Sequence, residues 1–482
     1  MAKMVIEIPD ELRELGEAFV QTLATIQGSI AQAGTGTGKA VDYAKVERAI
    51  AENTGRIERS AHRSILQELD VDVPTVVIGG LRYNRVGRCD ASYHTMTGSV
   101  SVERSLYRQS GQRGGEPGGR VVDAVSLRAG VVGDGWLPHT ARAMAHAVQQ
   151  GTSREAKATA DEVGRLPYSR SSFESVAHLV GVLAVAGHKD IEDVLIDSYE
   201  VPEEARSISV SLDRVSVPME EARPRPVGRP RKDAPKKPVA RNFRMAYCGT
   251  VTLHDKDGTA LHTIRYGCMP QGDVVGLCQR MAADAATLMS KKAGLKIQLL
   301  CDGAPEMWGL LDKAFKEERF GPIHRLVDLY HLMEKLSPAA HVLAGAESSS
   351  ATVSRWKLSL LNRNDAAKEI LLELINSEKE NVRVGKVRPV YDAVTYLVSH
   401  SERADRMNYA RARRLRLPLG SGNVEATCKS LFEMRLKRCG SRWKETTGQH
   451  IVQLRAYALS DRWEPAIELT LRPLRQAVRA AS

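Results

Sequence analysis

Three acidic residues stand where phosphodiester chemistry assisted by divalent cations would require them: Asp213, Asp302 and Glu425. Each aspartate follows a strand-like run, residues 207–212 and 297–301, and Glu425 opens a helix-like stretch. Carboxylates at the ends of neighbouring strands, joined by one from a helix, could hold two cations about 3.5–4 Å apart. Hard cations prefer carboxylate oxygens, which explains acids in place of cysteine or histidine. Such a site activates water or a 3′-hydroxyl without a separate protein base.

The elements that must position the two aspartates follow a regular order. The pattern predicts a hairpin around the turn 255–258 and then alternating helices and strands. The predicted strands are 207–213, 243–254, 260–267, 296–301 and 323–328, and the predicted helices are 273–293, 304–318 and 331–343. Three antiparallel strands followed by alternating helices and strands is the order of the ribonuclease H-like fold. We therefore expect an α/β domain of that class, with Asp213 and Asp302 on its first and fourth strands.

The third acid lies at the start of a predicted helix that follows Gly420-Ser421-Gly422. Ser421 or Asn423 could cap this helix, which places Glu425 in its first turn. Lys429 is four residues farther on and shares the face of Glu425, so it could meet a substrate phosphate or form an ordinary surface ion pair. Glu433 competes for the role of third acid but lacks the glycine-rich approach.

A helical region and a basic loop interrupt the predicted catalytic domain. Residues 345–415 have a helical pattern without a further strand, and their end is rich in arginine. Residues 222–241 combine prolines with cations, which excludes a packed core element. Within them Gly228-Arg229-Pro230, followed by Arg231 and Lys232, resembles an AT-hook that inserts into the DNA minor groove. A solvated basic linker is the other interpretation, and attraction to phosphates follows from either.

The N-terminal region has a different pattern. Amphipathic helices are predicted over about 10–30 and 41–69, and a small β element over about 74–108. Two helix starts then carry the spacing of a capping box, Thr152 with Glu155 and Ser171 with Glu174. Helices so arranged resemble a DNA-binding helix-turn-helix, although many helical hairpins with this spacing bind nothing.

Composition narrows the class of protein. The 482 residues carry a net charge of +11, unevenly spread, which favours a polyanion partner. None of the seven cysteines forms a C-x-x-C pair, so neither a zinc ribbon nor a disulfide framework is indicated. The N-terminus is acidic where a signal peptide would be apolar, and no apolar stretch is long enough to cross a bilayer. We expect a soluble, cytoplasmic protein.

Five short segments in the same order resemble bacterial insertion-sequence transposases of the DDE class, the Kra type in particular, and more distantly Mutator-like transposases. The likeness covers residues 205–460. The segments are Ser211-Leu212-Asp213, Cys301-Asp302-Gly303-Ala304, Val327-Asp328-Leu329-Tyr330-His331, Gly420-Ser421-Gly422-Asn423-Val424-Glu425, and the group Arg435, Lys437, Gly440, Arg442 and Trp443.

The resemblance implies a ribonuclease H-like catalytic domain, of the retroviral integrase type, interrupted by a helical insertion. It would act on transposon ends and target DNA with two Mg²⁺ or Mn²⁺ ions, held by Asp213, Asp302 and Glu425. His331 would support the active site, or would be a structural histidine at a strand-to-helix junction. DNA contacts are implied for Lys429, Arg435, Lys437, Arg442 and Trp443, together with the basic loop. A dimer or larger assembly on DNA, associated with the nucleoid, is expected.

The predicted domains follow from these patterns. They are N-terminal helices (1–70), a small β element with a helix-turn-helix-like region (71–200), the ribonuclease H-like core (205–345), a helical insertion (346–415), and the helix of the third acid with basic C-terminal helices (416–482). The expected function is metal-dependent DNA cleavage and strand transfer. A nuclease or resolvase that does not join strands, and a non-catalytic domesticated DNA-binding protein, remain as alternatives.

Overall fold

A computed structural model describes residues 7–33, 40–112, 119–220, 241–401 and 406–481. The basic residues Arg229, Arg231 and Lys232 lie outside the described residues. The fold is mixed α/β, with two five-stranded sheets. The chain divides into two compact units: residues 1–187 with 464–482, and residues 188–463. The sequence-based division kept 416–482 together, whereas this grouping assigns residues 464–482 to the first unit.

The first unit contains an antiparallel sheet with the order β10-β1-β2-β3-β4. Its strands are β1 (Thr75–Ile78), β2 (Leu81–Thr95), β3 (Gly98–Gln109), β4 (Val122–Asp123) and β10 (Val478–Ala480). The predicted β element is therefore larger than expected, because a strand from the C-terminus of the chain pairs with β1. Pairing across such a sequence distance leaves no local signal in either segment.

The helices of the first unit include the predicted N-terminal pair and the predicted helical hairpin. They are α1 (Arg13–Ala33), α2 (Tyr43–Glu68), α3 (Ala124–Ala129), α4 (Pro138–Gln150), α5 (Ser153–Val163), α6 (Arg170–Ala186) and α18 (Trp463–Leu471), which begins one residue before the unit boundary. The capping box of Thr152 and Glu155 is confirmed at the start of α5. The predicted cap of α6 is wrong: Ser169, not Ser171, accepts the hydrogen bond from the backbone N–H of Ser172.

The second unit contains the sheet that carries the two aspartates, with the order β7-β6-β5-β8-β9. Its strands are β5 (Ser207–Glu220), β6 (Arg241–His254), β7 (Ala260–Cys268), β8 (Lys296–Cys301) and β9 (Ile323–Val327). The pairs β5–β6 and β6–β7 are antiparallel, while β5–β8 and β8–β9 are parallel. Strand β5 is longer than predicted, so Asp213 lies in its middle instead of at its end.

Helices cover both faces of this sheet. They are α7 (His188–Ser198), α8 (Val274–Lys291), α9 (Pro305–Ala314), α10 (Glu317–Phe320), α11 (Leu329–Asn362), α12 (Ala366–Asn376), α13 (Pro389–Ser401), α14 (Tyr409–Arg414), α15 (Gly422–Thr427), α16 (Met434–Leu436) and α17 (Glu445–Leu459). The predicted helical insertion corresponds to the second half of α11 with α12, α13 and α14. Among the helices of the described residues, none has the length and apolar character needed to span a bilayer.

Two hydrophobic cores hold the sheet between its helices. On one face Leu212 of β5 and Leu299 of β8 pack in the same cluster as Met281 of α8 and Trp308 of α9. On the other face Leu300 of β8 belongs to a cluster built largely from α11, α12 and α13. Successive residues of β8 thus point into opposite cores, as the period of a strand requires. A sheet buried on both faces fixes the strand register, and with it the positions of the residues that follow each strand.

Candidate active site

The register of the central strands places the two aspartates side by side. Strands β5 and β8 pair in parallel with Ser207 opposite Lys296, an offset of 89 residues (296 minus 207). Asp213 and Asp302 are separated by the same offset, three residues beyond the last paired residues, Val210 and Leu299. Their carboxylates interact electrostatically, since the charge of Asp302 acts to raise the pKa of Asp213.

Asp213 is half-buried and has two hydrogen-bond donors. The backbone N–H of Arg214 donates to its Oδ1 at 2.6 Å, and the thiol of Cys428 lies 3.6 Å from its Oδ2. Burial, followed by the charge of Asp302, raises the pKa of Asp213 above its ordinary value, although both donors act to lower it. A carboxylate made costly to ionise by burial and by a like charge would gain from a nearby cation.

Asp302 lies in the turn between β8 and α9, where the chain makes close contacts. Its Oδ1 accepts a hydrogen bond from the backbone N–H of Ala304 at 3.0 Å, and its carbonyl oxygen accepts one from the indole of Trp308 at 3.0 Å. A Cβ at Gly303 would lie 2.5 Å from Nε2 of His400 and 2.6 Å from the ring of Tyr396. Glycine is therefore required here because α13 packs directly against the turn that carries Asp302.

Glu425 lies in the first turn of α15, which continues through a π-helical turn (Cys428–Glu433) into α16. Turns of this kind are uncommon and often occur at functional sites. The turn also places Cys428 beside Asp213 on β5, so one helix carries Glu425 and contacts the first aspartate. The competing acid, Glu433, pairs with Lys437 at 2.7 Å. Glu425 instead lies near His331, with its Oε1 3.8 Å from Nε2 of that residue, and its role as the third acid stays a prediction.

Ser421 precedes α15 and was predicted as one possible cap. It occupies the cap position but makes no capping hydrogen bond. Its backbone N–H and its hydroxyl donate instead to Oδ2 of Asp328, the hydroxyl at 2.5 Å. The other oxygen of Asp328 accepts the backbone N–H groups of Tyr330 and His331 at 2.6 and 3.1 Å, and so caps α11. A single buried carboxylate thus ties the starts of α11 and α15 together.

His331 connects this carboxylate to Glu425. Its Nδ1 lies 3.7 Å from Oδ1 of Asp328, and its Nε2 lies 3.8 Å from Oε1 of Glu425. The interaction with Asp328 raises the pKa of His331 to about 9, and the charge of Glu425 acts in the same direction. Burial acts to raise the pKa of Asp328, but His331 and Ser421 outweigh it and lower that pKa to about 2. At neutral pH the imidazole is therefore a cation between two carboxylates.

The four predicted site residues thus share one neighbourhood. Asp213 interacts electrostatically with both Asp302 and His331, and His331 contacts Glu425. Within the part of the chain that the structure describes, no group of three or more histidine, cysteine, aspartate or glutamate side chains is arranged to hold a metal ion. The donor chemistry of the three carboxylates suits a hard divalent cation, and Nε2 of His331 lies 3.8 Å from Glu425.

The predicted DNA-binding residues fall into two groups. Lys429 is exposed, while Lys437 and Arg442 are half-buried. Arg435 is buried, with its guanidinium 4.9 Å from the ring centre of Trp443. The backbone of Trp443 in turn pairs with residues at the end of β5. Arg435 and Trp443 therefore have a packing role here, and DNA contact by any of these residues stays a prediction.

Three features of the site were missed by the sequence analysis. These are the thiol of Cys428 on Asp213, the Asp328–Ser421 hydrogen bonds, and a cleft of about 730 Å³ that Glu425 and Tyr330 line. The sequence signalled only one of these features: Asp328 lies at the end of a predicted strand, three residues before His331.

The chain was compared with known proteins. No protein-family model matches it, and no curated protein matches it. Among solved structures, it is similar to the Drosophila P element transposase strand transfer complex at 12% sequence identity and a TM-score of 0.33. That likeness covers 67% of this chain and 92% of the other. At this level of similarity the likeness adds nothing to what the geometry of the site indicates.

Proposed function

We propose that this protein is a DNA transposase of the DDE class that binds transposon ends and catalyses metal-dependent cleavage and strand transfer. The observation that carries the proposal is the shared neighbourhood of Asp213, Asp302, Glu425 and His331, built from two adjacent strands and two helices. The strand order of the second unit supports a ribonuclease H-like domain, because three antiparallel strands are followed by two parallel ones. The insertion of α12 to α14 before α15 supports the interrupted form of that fold.

In this proposal Asp213, Asp302 and Glu425 would hold two Mg²⁺ or Mn²⁺ ions. When bound, such ions lower the pKa of the attacking hydroxyl or water and stabilise the leaving oxygen. The residues of the chain have separate roles. Asp213 and Asp302 present adjacent carboxylates on a rigid sheet, while Asp328 holds α11 and α15 together and orients His331. The positive charge of His331 offsets the negative charge of Glu425 and can also contact the negatively charged substrate phosphate.

The test is a cleavage assay with the full-length protein and supercoiled DNA that contains the sequence flanking its reading frame. We expect nicking and joining that require Mg²⁺ or Mn²⁺ and stop in EDTA. Asp302→Asn should abolish both steps and leave DNA binding intact, because the substitution removes a ligand charge but keeps the shape. Glu318→Gln, an exposed acid on α10, is the matched control and should retain activity.

Three other outcomes would contradict the proposal. Nicking without joining would assign a nuclease or resolvase. Binding without metal-dependent nicking would assign a passive DNA-binding protein. Cleavage by Asp302→Asn at the wild-type rate would exclude this site as the catalytic one.

A further inference from the structure

A cleft of about 730 Å³ opens beside Glu425 in the second unit. One wall is the turn between β6 and β7, with Lys256 and Asp257. The other is the last turn of α14, with Arg413, and the segment that follows it, with Arg416. A cube of this volume would have an edge of about 9 Å, less than the roughly 12 Å width of a single B-form major groove, so the cleft is too small to enclose a double helix.

The charges in the cleft differ in how accessible they are. Among its anions, Asp328 is buried and accepts hydrogen bonds from Ser421, and Glu425 faces the imidazole of His331. The cations Lys256, Arg413 and Arg416 lie on exposed positions of the two walls. Asp257 is also exposed on one wall, so a polyanion entering the cleft would meet these three cations and one anion before it reached Asp328 or Glu425.

Arg416 has a backbone conformation that an arginine seldom adopts. Its φ is +57°, in the left-handed region. It follows the end of α14, where the backbone N–H of Leu417 donates to the carbonyl oxygen of Ala412 at 2.9 Å. Glycine is the usual residue at this position of a helix end, because a side chain is strained there. The chain carries an arginine there whose side chain is 63% exposed, and such local strain often accompanies function.

Tyr330 supplies an aromatic surface in the same cleft. The residue is 60% exposed and directly precedes His331. Its ring lies close against the backbone of Gly420, where a Cβ would come within 2.7 Å of two ring atoms. Lys357 lies 5.6 Å from the ring centre. Arginines beside an exposed aromatic ring form the combination that binds single strands, with cations on phosphates and the ring stacked on a base.

We propose that this cleft binds a short unpaired segment of a DNA strand next to the phosphate presented to Glu425. Arg413 and Arg416 contact its phosphates, and Tyr330 stacks on one of its bases. This inference rests on the proposed function, since it names the form of DNA that the active site receives. Asp257, whose Oδ1 lies 4.0 Å from Arg416, competes with the phosphate for that guanidinium.

The test measures binding of a fluorescent DNA oligonucleotide, single-stranded or duplex, to full-length protein in EDTA. Arg416→Gly should weaken single-strand binding several-fold and lower the slope of log affinity against log salt by about 0.7, the value for one lost phosphate contact. Its thermal midpoint should stay equal to the wild type or rise, because glycine relieves the strained backbone. Glu378→Gly is the matched control, since Glu378 is exposed with a φ of +56° and does not line the cleft. It should gain stability without losing affinity.

Two further variants sharpen the test. Tyr330→Ala should weaken single-strand binding by about five- to a hundredfold, and Tyr330→Trp should restore it, because any large ring can stack on a base. Asp257→Asn should strengthen binding by less than about fivefold, the range of an exposed ion pair. All variants should change duplex binding less than single-strand binding.

Unchanged single-strand affinity in Arg416→Gly and Tyr330→Ala would overturn the inference, as would equal losses for single-stranded and duplex DNA. Because the assay contains no divalent cation, its result is independent of cleavage. Metal-dependent cleavage with unaltered binding by these variants would refute the inference alone. Binding as expected without any cleavage would refute the proposed function alone.

Discussion

The imidazole of His331 lies 3.8 Å from the carboxylate of Glu425, and its other nitrogen lies 3.7 Å from the carboxylate of Asp328. These two carboxylates come from different parts of the chain, one at the end of β9 and the other on α15. The histidine lies at the junction between β9 and α11 and interacts with both carboxylates. Its raised pKa gives it a positive charge at neutral pH.

His331 should make the stability of the metal-free protein depend on alkaline pH. Its pKa is raised to about 9, so its interaction with Asp328 contributes fully below the ordinary histidine pKa of about 6.5 and is lost as the pH rises through 9. We expect the thermal midpoint in EDTA to fall between pH 6.5 and 9. His331→Gln should have a lower midpoint at pH 6.5 and show little of this fall. An equal fall in the variant would mean that another group titrates.

The thiol of Cys428 should lower the pKa of the Asp213 carboxyl. Its hydrogen bond acts to lower the pKa of that carboxyl, and the pKa of the thiol itself is raised by its hydrogen bond with Cys248 and by burial, so it stays protonated. Cys428→Ala removes the donor, whereas Cys428→Ser keeps one. If cleavage requires ionised Asp213, we expect the acidic limb of the pH–rate profile to move to higher pH in the alanine variant only. Equal profiles for both variants would show that the contact does not reach the chemistry.

The turn after β8 allows a prediction at Gly303 that has a control at Gly309 in the following helix, α9. Gly303→Ala would place a Cβ against His400 and Tyr396, so we expect a loss of about 1–3 kcal/mol in the free energy of unfolding and a displaced Asp302. Gly309→Ala lies on the exposed side of α9 with no atom within 4 Å of the new Cβ. It should stabilise the protein by up to about 1 kcal/mol, because alanine favours a helix. Urea unfolding measures both, and a tolerated Gly303→Ala would show that α13 can move aside.

Much of the second unit could be predicted from local patterns. The strands 296–301 and 323–328 and the hairpin at 255–258 were placed to within a residue or two, because buried parallel strands are continuous apolar runs and hairpins have strong turn residues. The last predicted helix of the core ended at 343, near the kink that Gly345 makes with its φ of +75°. The chain resumes the helix beyond that kink because Trp356 and Leu360 bury against the same core.

What could not be predicted depends on contacts between distant segments. Ser421 is of a residue type that often caps helices, yet its hydroxyl donates to Asp328, which is 93 residues away in the sequence. In the sequence Cys428 has the character of an ordinary buried residue. In the structure the π-helical turn places it beside Asp213, and no sequence pattern predicts that turn. The two aspartates were visible because each follows a strand-like run in the sequence. That their separation in the sequence equals the offset between the paired residues of β5 and β8 became apparent only from the strand pairing.

Asp284, buried on α8 away from the candidate site, should make the protein less stable as the pH rises. Burial raises its pKa to about 7, and the hydroxyl of Tyr266 donates to it at 2.5 Å. The folded state therefore holds this proton more tightly than the unfolded chain, so the free energy of unfolding falls between about pH 4 and pH 7. Asp284→Asn stays neutral and can still accept the hydrogen bond from Tyr266. We expect its thermal midpoint to exceed that of the wild type at pH 8 and to approach it near pH 4.

Asp255 provides the control of opposite sign for this measurement. The backbone N–H of Thr259 lowers its pKa, so its contribution is present above the ordinary aspartate pKa and is lost only as the pH falls through its own lower value. Asp255→Asn should therefore lower the thermal midpoint at pH 8, where Asp284→Asn raises it. If both variants shift the midpoint in the same direction at pH 8, loss of a negative charge from a basic protein explains the result, and burial of Asp284 does not.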